Sequence, residues 1–438
     1  MQVVNIGLFG LGVVGSGVLE ILNRNKDLIC SRLGAELRVT HAVTANPDKK
    51  RSISLEGIEI SSDPGLILDN PDIHIVAELI GGTTLAKEIV LKALDSGKMV
   101  VTANKALLAE CAREIFTRVY ETGLAIGMEA SVAGGIPILR SLKEGLSGDH
   151  IKEIAGIVNG TSNYILSKMS SEGAAFDEVL AEAQKLGYAE ADPTFDVEGH
   201  DAAHKLAILI NLAYGCMIEF SQVHKEGISS ITPMDIAYAR QMGYAIKLLA
   251  IGKQINGKVE ARVHPALIQE DHLLASVNGV FNAVFLTGDN VDATLSYGRG
   301  AGGLPTGSAV VSDIIDLARN LLSNATNRIP PLSVTRENLA ELEVIPMDDL
   351  QSEYYLRFQV LDQVGVLAAI TKTMGDHNIS ILSAFQPGLA EKPDGPVQVI
   401  LITHQAREKD VMDSIASISK MDFVTGPTKL IRIERFRS

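Results

Sequence analysis

Apolar runs and amphipathic stretches alternate along the first hundred residues. "VVNIGLFG" (3–10) has a mostly apolar strand pattern, and a helical pattern follows near 13–25. Then come "ELRVTHAVT", "IHIVAELI", a second helical stretch near 83–96, and "KMVVTAN". Apolar strand runs separated by helices predict βαβ units and a parallel sheet. From about 130 to 325, strand patterns mix with amphipathic helices expected at 175–186, 199–214 and 232–250. That mixture reads as an α+β domain. "RIPPLSVTRENLAELEVIPMDDL" (328–350) is a charged, proline-containing connector. Beyond it, 353–434 reads β-α-β-β-α-β, the ferredoxin-like order. The expected domains are 1–130, a Rossmann-type α/β unit; 131–328, an α+β substrate and dimerisation unit; a linker at 329–350; and 351–438. A helix over 305–325 is a candidate to pack back on the first unit.

Composition narrows the function. The 438 residues are enough for two to four domains, and 46% are hydrophobic, so a sizeable core is available. A net charge of −14 argues against a nucleic-acid or anionic-membrane surface and for a small-molecule protein. Cys30, Cys111 and Cys216 are far apart with no CxxC pair, which argues against a disulfide framework or a structural zinc site. The apolar first 22 residues lack a basic start and are broken by five glycines, so a buried strand and turn explain them better than a signal peptide. No other stretch approaches ~20 apolar residues. A soluble, cytoplasmic protein is expected.

Gly10-Leu11-Gly12-Val13-Val14-Gly15 follows the first strand and opens a helix. This G-x-G-x-x-G makes a tight turn, lets the backbone approach a pyrophosphate, and offers the free N–H groups of a helix start. At the tip of the second strand, "AVTANPDKKR" (42–51) lacks the acid that usually takes the ribose 2′-OH of NAD. Thr44 stands there instead, and Lys49, Lys50 and Arg51 follow, a set that favours the 2′-phosphate of NADP while leaving NAD open. Lys105, in "VTANKALLA" (101–109), ends another strand of the same sheet, where ligand-lining loops lie.

The stretch "GYAEADPTFDVEGHDAAHKLAIL" (187–209) crowds Glu190, Asp192, Asp196, Glu198 and Asp201 ahead of Lys205. A helix begun at Gly199 puts Asp201 and Lys205 on one face, at i and i+4. At its blandest this is an ion pair of ~0.2–0.5 kcal/mol with acids favouring a helix start. "HDAAH" also spaces His200 and His204 like a zinc-binding helix, with His224 or Glu219 as a third ligand. That chemistry needs Glu after the first His and does not go with a dinucleotide loop, so it is set aside. The sharper reading makes Lys205 a proton donor and acceptor. Carbonyl reduction by a nicotinamide needs hydride on carbon and a proton on oxygen, and a lysine supplies the proton while its charge steadies the alkoxide. Asp201 would favour the charged lysine and a nearby Lys105 the neutral one.

"NGTSNYIL" (159–166), the 187–209 stretch, "EASVAGGIPIL" (129–139), "TANKALL" and "GRGAGGLPTGSAVVSDI" (298–314) resemble homoserine dehydrogenases, in order, over residues 1 to about 325. The tail, with "LDQVGVLAAITKTMGDHNISI", resembles an ACT regulatory domain. The resemblance implies reversible NAD(P)H-dependent reduction of L-aspartate 4-semialdehyde to L-homoserine, on the route to threonine, methionine and isoleucine. It implies catalytic roles for Lys205, Asp201 and Lys105, and substrate contacts from Glu190, Asp201, Gly160 and Thr161. Gly187 and Gly302 would lie against the nicotinamide. A structural Na⁺-type ion would sit on Glu129 and the carbonyls of Val132, Gly134 and Ile136. Asp362 and Gly365 would belong to an effector site for L-threonine, unless the ACT module only aids assembly. A homodimer or homotetramer is implied. Many members have proline where Ala191 stands, which removes a φ restraint beside Glu190 but no functional group. A related semialdehyde dehydrogenase would need a nucleophilic cysteine, and neither Cys111 nor Cys216 has the surroundings for one. A retired dehydrogenase acting as an amino-acid sensor is disfavoured by the intact Lys105, Glu190, Asp201 and Lys205.

Overall fold

The computed structural model describes residues 2–325, 327–388 and 395–436, so the outer domain bounds 1 and 438 lie outside it. Strands Gln2–Phe9 (β1), Ala35–Val43 (β2), Glu59–Ser61 (β3), Ile75–Glu78 (β4), Met99–Thr102 (β5) and Ile126–Gly127 (β6) form one sheet. Its order is β3-β2-β1-β4-β5-β6, every pairing parallel. That order is doubly wound, with its topological switch beside β1. Successive side chains of one strand feed opposite cores: Ile75, Ala77 and Val101 pack with Val18, Val310 and Ile314, whereas Val76 and Val100 pack with Ile89, Val90 and Phe116. Strands covered on both faces must be apolar at every position, and hence read as continuous runs. The Gly303–Leu322 helix returns to lie on the Val13–Arg24 helix. A Cβ at Gly17 would stand 2.3 Å from the Gly303 carbonyl oxygen, so only glycine permits that approach.

The second sheet has twelve strands. They are Ile151–Ile157 (β7), His224–Lys225 (β8), Tyr244–Ile255 (β9), Lys258–Gln269 (β10), Phe281–Gly288 (β11), Ala293–Arg299 (β12), Glu343–Val344 (β13), Gln351–Leu361 (β14), Ile381–Phe385 (β15), Pro396–Thr403 (β16), Ala406–Arg407 (β17) and Lys429–Ile433 (β18). The main path runs β12-β11-β7-β9-β10-β18-β14-β16-β15. β10 pairs with β18 in parallel, Ala266 to Arg432 and Leu267 to Ile433, so the C-terminal β-α-β-β-α-β unit continues the sheet of the middle region. The connector is tied down too: Val344 pairs with Val259, and Tyr120 Oη donates to the Val334 carbonyl at 2.8 Å.

The helix expected over 232–250 is corrected. It spans only Pro233–Gln241, opened by a Thr232–Asp235 capping box. Gly243 then turns the chain with φ +78, and 244–255 is β9, held between β7 and β10. An apolar stretch of that length suits either element, and sheet pairing decides. Among the described residues no helix is long and apolar enough to cross a membrane.

Candidate active site

Gly199, with φ +81, starts the His200–Tyr214 helix, which is buried along most of its length. Asp201 and Lys205 sit one turn apart on it, and Lys205 Nζ donates to Asp201 Oδ2 at 2.7 Å. The same ammonium donates to the Val158 carbonyl at 2.7 Å, just past the end of β7. Asp201 Oδ1 faces Lys105 Nζ at 2.7 Å. One carboxylate thus holds two lysines carried by two different helices.

Each partner is itself held. Lys105 begins a short helix, Lys105–Glu110, whose N-cap Asn104 accepts from Leu107 N. Asn104 Nδ2 donates to the Gly82 carbonyl at 2.6 Å. Fully buried Glu78, at the end of β4, accepts from Thr102 Oγ1 at 2.7 Å and from Ile80 N at 2.9 Å, locking the two loops together. On the other side, Asn159 caps the Gly160–Glu172 helix through its Oδ1, and its Nδ2 donates to Asp196 Oδ1 and Asp201 Oδ2, both at 2.8 Å.

Burial and neighbouring charges shift these groups unequally. Burial pushes the Lys205 ammonium below the ordinary lysine value; Lys105 adds to that effect and Asp201 opposes it. Lys105 is also penalised by burial, but Asp201, Asp196 and Glu190 together hold it above the ordinary value. Asp201 stays well below the usual carboxylate range despite its burial, because both lysines favour its charge. Burial raises Asp196. The two lysines on one carboxylate are therefore unequal, Lys105 held above and Lys205 below the ordinary lysine value.

These groups line a cleft of about 440 Å³ that also takes in Gly160, Thr161, Gly187, Gly302, Arg299 and Asn282. Glu190 is exposed beside it rather than on its wall, with its carbonyl held by Gln184 Nε2 at 3.1 Å. Asn159 and Asp196 were not singled out as site residues from the sequence. Asn159 lies in a motif quoted above, but only the fold brings it to Asp201. Asn282, 1% exposed, has both amide atoms without a partner among the described residues.

The glycine loop adjoins the same crevice. Gly10 has φ +99, and a Cβ there would stand 2.7 Å from the Leu79 carbonyl oxygen. A Cβ at Gly15 would stand 2.1 Å from the Gly10 carbonyl oxygen, whereas one at Gly12 meets nothing within 4 Å. Thus the first and third glycines make the turn and the middle one leaves open space, as a pyrophosphate cradle requires. Val13 and Val14 begin the helix. Arg51 reaches across the tip of β2, donating from Nη2 to Thr44 Oγ1 at 3.3 Å and from Nε to the Leu11 carbonyl at 3.4 Å.

The other expected residues fall elsewhere. Glu129 Oε1 and Oε2 accept from Leu139 N and Arg140 N at 2.9 and 2.7 Å. The carbonyls of nearby Val132 and Gly134 receive no hydrogen bond among the described residues, while that of Ile136 accepts from Ile138 N. Asp362 and Gly365 line a separate cleft of about 460 Å³ in the C-terminal unit. His204 bonds Glu110 and His224 bonds Glu226. Among the described residues no three metal-binding side chains cluster.

The chain is similar to known proteins over nearly its whole length. The model of the homoserine dehydrogenase NAD-binding domain matches residues 10–129, that of homoserine dehydrogenase 137–315, and that of the ACT domain 354–419. The homoserine dehydrogenase of Pseudomonas aeruginosa is 46% identical over 99% of this chain and 100% of its own length. The crystal structure of a homoserine dehydrogenase from Thiobacillus denitrificans is 46% identical and superimposes with a TM-score of 0.93, covering 99% of both chains. A hyperthermophilic archaeal homoserine dehydrogenase mutant in complex with NADPH is 29% identical, with a TM-score of 0.62, over 72% of this chain and 97% of its own. The chain belongs to the homoserine dehydrogenase family, oxidoreductases of amino-acid biosynthesis that act on a CH–OH group with a nicotinamide coenzyme.

Proposed function

We propose that the chain interconverts L-homoserine and L-aspartate 4-semialdehyde with NADP(H), and that Lys205 carries the proton. The observation that bears most weight is the buried Lys205 ammonium, bonded to Asp201 and depressed by burial, at the wall of a cleft shared by both sheets. When bound, the coenzyme exchanges a hydride with the carbon bearing the oxygen. Lys205, neutral, takes the hydroxyl proton in oxidation; protonated, it returns it in reduction. Asp201 and the Val158 carbonyl aim its Nζ. Lys105, kept charged, faces the same cleft and steadies negative charge growing on the substrate oxygen. Asp196 and the exposed Glu190 supply the anionic side that an α-ammonium needs, and Gly160, Thr161 and Asn282 complete the wall.

For the coenzyme, Gly10, Gly12, Val13, Val14 and Gly15 would cradle the pyrophosphate, with Gly187 and Gly302 beside the nicotinamide. Arg51 and Thr44 favour NADP, in keeping with the relative solved with NADPH. Residues 1–130, with the Gly303–Leu322 helix packed back, would form the coenzyme unit, 131–328 the substrate unit and 351–438 the ACT unit. Glu129 with the carbonyls of Val132, Gly134 and Ile136 is an oxygen-only set suited to a hard cation such as Na⁺, a structural ion. The free carbonyls of Val132 and Gly134 support that reading. The cleft at Asp362 and Gly365 would take an amino-acid effector, L-threonine, in a homodimer or homotetramer.

The test is the initial rate of NADP⁺ reduction with L-homoserine for wild type and Lys205→Ala. A lost general acid–base group costs ~10²–10⁴-fold. Equal rates overturn the role given to Lys205; no turnover with either NADP⁺ or NAD⁺ overturns the reaction.

A further inference from the structure

The Lys105–Glu110 helix is bound to the His200–Tyr214 helix at both of its ends. At its start Lys105 Nζ meets Asp201 Oδ1 at 2.7 Å. At its finish Glu110 Oε1 meets His204 Nε2 at 2.9 Å. Asp201 and His204 are three residues apart, hence on one face of their helix. Between the two bonds, Leu107 and Leu108 pack in the same core as Ala203 and Leu206. One helix follows β5 of the parallel sheet and the other lies against β7, β9 and β10, so the double attachment crosses between the coenzyme and substrate regions.

We propose that Glu110 and His204 form an interdomain latch that sets the position of Lys105 against Asp201, and so act as positioning residues for the reaction. The surroundings of His204 fit a fixed bond rather than a solvated contact. Its ring is 2% exposed and lies between Phe195 and Phe220, with ring centroids at 5.4 and 4.2 Å. Nδ1 has no partner among the described residues, so the neutral ring with its proton on Nε2 satisfies the bond to Glu110 and leaves no buried N–H orphaned. Phe195 ties the latch to the chemistry, since Lys105 Nζ also stands 5.7 Å from the centre of that ring. The Lys105 ammonium is thereby held by its own carboxylate, by a ring face, and by a helix pinned at its far end. Releasing the far end lets the short helix swing about Asp201, and a displacement of about 1 Å at a catalytic group costs on the order of 10²-fold.

This inference rests on the Lys105–Asp201–Lys205 reading, and its test separates the two. Steady-state oxidation of homoserine with NADP⁺ is measured on the full chain for Glu110→Ala, His204→Ala, their double variant and His204→Gln, with Lys205→Ala beside them. Each alanine variant is expected to lose roughly 10- to 100-fold in kcat with KM for homoserine changed less than about threefold. The double variant loses no more than the worse single one, as for partners in one bond. His204→Gln, whose amide keeps a donor near the position of Nε2, regains most of the loss. Glu110 is nearly half exposed, so its alanine variant folds and keeps the test decisive even where His204→Ala does not. The latch is overturned if Glu110→Ala keeps kcat within about threefold of wild type, if the two losses multiply, or if glutamine at 204 rescues nothing, while Lys205→Ala is inactive. If Lys205→Ala turns over like wild type, the site reading has failed and the latch falls with it.

Discussion

Lys105 Nζ stands 2.7 Å from one oxygen of Asp201. The other oxygen of that carboxylate receives Lys205 at 2.7 Å, so a charge change at either lysine is felt by the other. A free lysine titrates at ~10.4. Burial and Lys105 both lower Lys205, so its neutral, proton-accepting form is reached at lower pH. Homoserine oxidation is therefore expected to rise with pH along a limb centred below the free-lysine value. Semialdehyde reduction, which needs the protonated form, falls over the same limb. Lys105→Met removes a cation that favours neutral Lys205, and the oxidation limb moves to higher pH. Profiles of kcat/KM for both directions read this directly; an unmoved or downward-moved limb would contradict the coupling.

The three loop glycines separate folding from coenzyme binding. A Cβ at Gly12 meets nothing within 4 Å, and the backbone there has φ −81, open to alanine. Gly12→Ala should keep the thermal midpoint of wild type while weakening NADP⁺ binding tenfold or more, roughly the 1.4 kcal/mol of one lost close contact. Gly15→Ala places a Cβ 2.1 Å from a backbone oxygen. It should destabilise the fold by about 1–3 kcal/mol, as overpacking does. Calorimetry for unfolding and titration for binding distinguish the two. Equal effects on both would refute the division of labour.

Arg51 lies at the tip of β2, bonded to Thr44 Oγ1 and to loop carbonyls, and has no acidic partner among the described residues. A guanidinium with only neutral partners remains available to a phosphate. Hydrogen bonds to a charged group are worth ~1.5–3 kcal/mol, so Arg51→Ala is expected to weaken NADP⁺ about 10- to 150-fold. NAD⁺, which lacks the 2′-phosphate, should change less than about threefold. Comparable losses for the two coenzymes would remove Arg51 from the specificity argument.

What the chain revealed in advance follows the range of the interactions. The centre of the parallel sheet was legible because β4 and β5 are buried at every position and read as apolar runs beside helical stretches, whereas the short β3, with no buried residue, leaves no such pattern. Asp201 and Lys205 were legible because helical spacing alone joins them. The Asn159–Asp196–Asp201 bonds were not, because an asparagine at the end of β7 reaches both acids only once the sheet has formed. The Glu110–His204 pair was hidden for the same reason, and the histidine instead suggested a zinc helix. The strand at 244–255 was misread because its apolar pattern is ambiguous until β7 and β10 flank it. The join between β10 and β18 involves two residues of each strand, far too little to leave a pattern.

That join is held by charge, and this gives its own prediction. Arg432, 2% exposed on β18, donates from Nη1 and Nη2 to the Glu226 carboxylate at 2.9 and 2.8 Å and from Nε to Glu408 at 2.9 Å. Glu226 follows β8, and its carbonyl oxygen lies 3.4 Å from where a Cβ of Gly199 would stand, beside the start of the His200–Tyr214 helix. Removing the arginine leaves buried Glu408 uncompensated. Arg432→Ala is expected to cost about 3 kcal/mol, the low end for a broken buried pair because Glu226 is partly solvated. Arg435→Ala removes a half-exposed pair with Glu353 and should cost less than about 1 kcal/mol. Burial raises Glu226, but hydrogen bonds from His224 and Arg432 outweigh it and hold the group well below its ordinary value of 4.5. A depressed carboxylate contributes stability above its unfolded-state pKa, and that contribution fades as pH falls towards the native value. The gap between wild type and Arg432→Ala in urea unfolding should therefore be full at pH 7 and shrink steadily below about pH 4.5. A gap that stayed constant into acid would mean the arginine stabilises by packing alone.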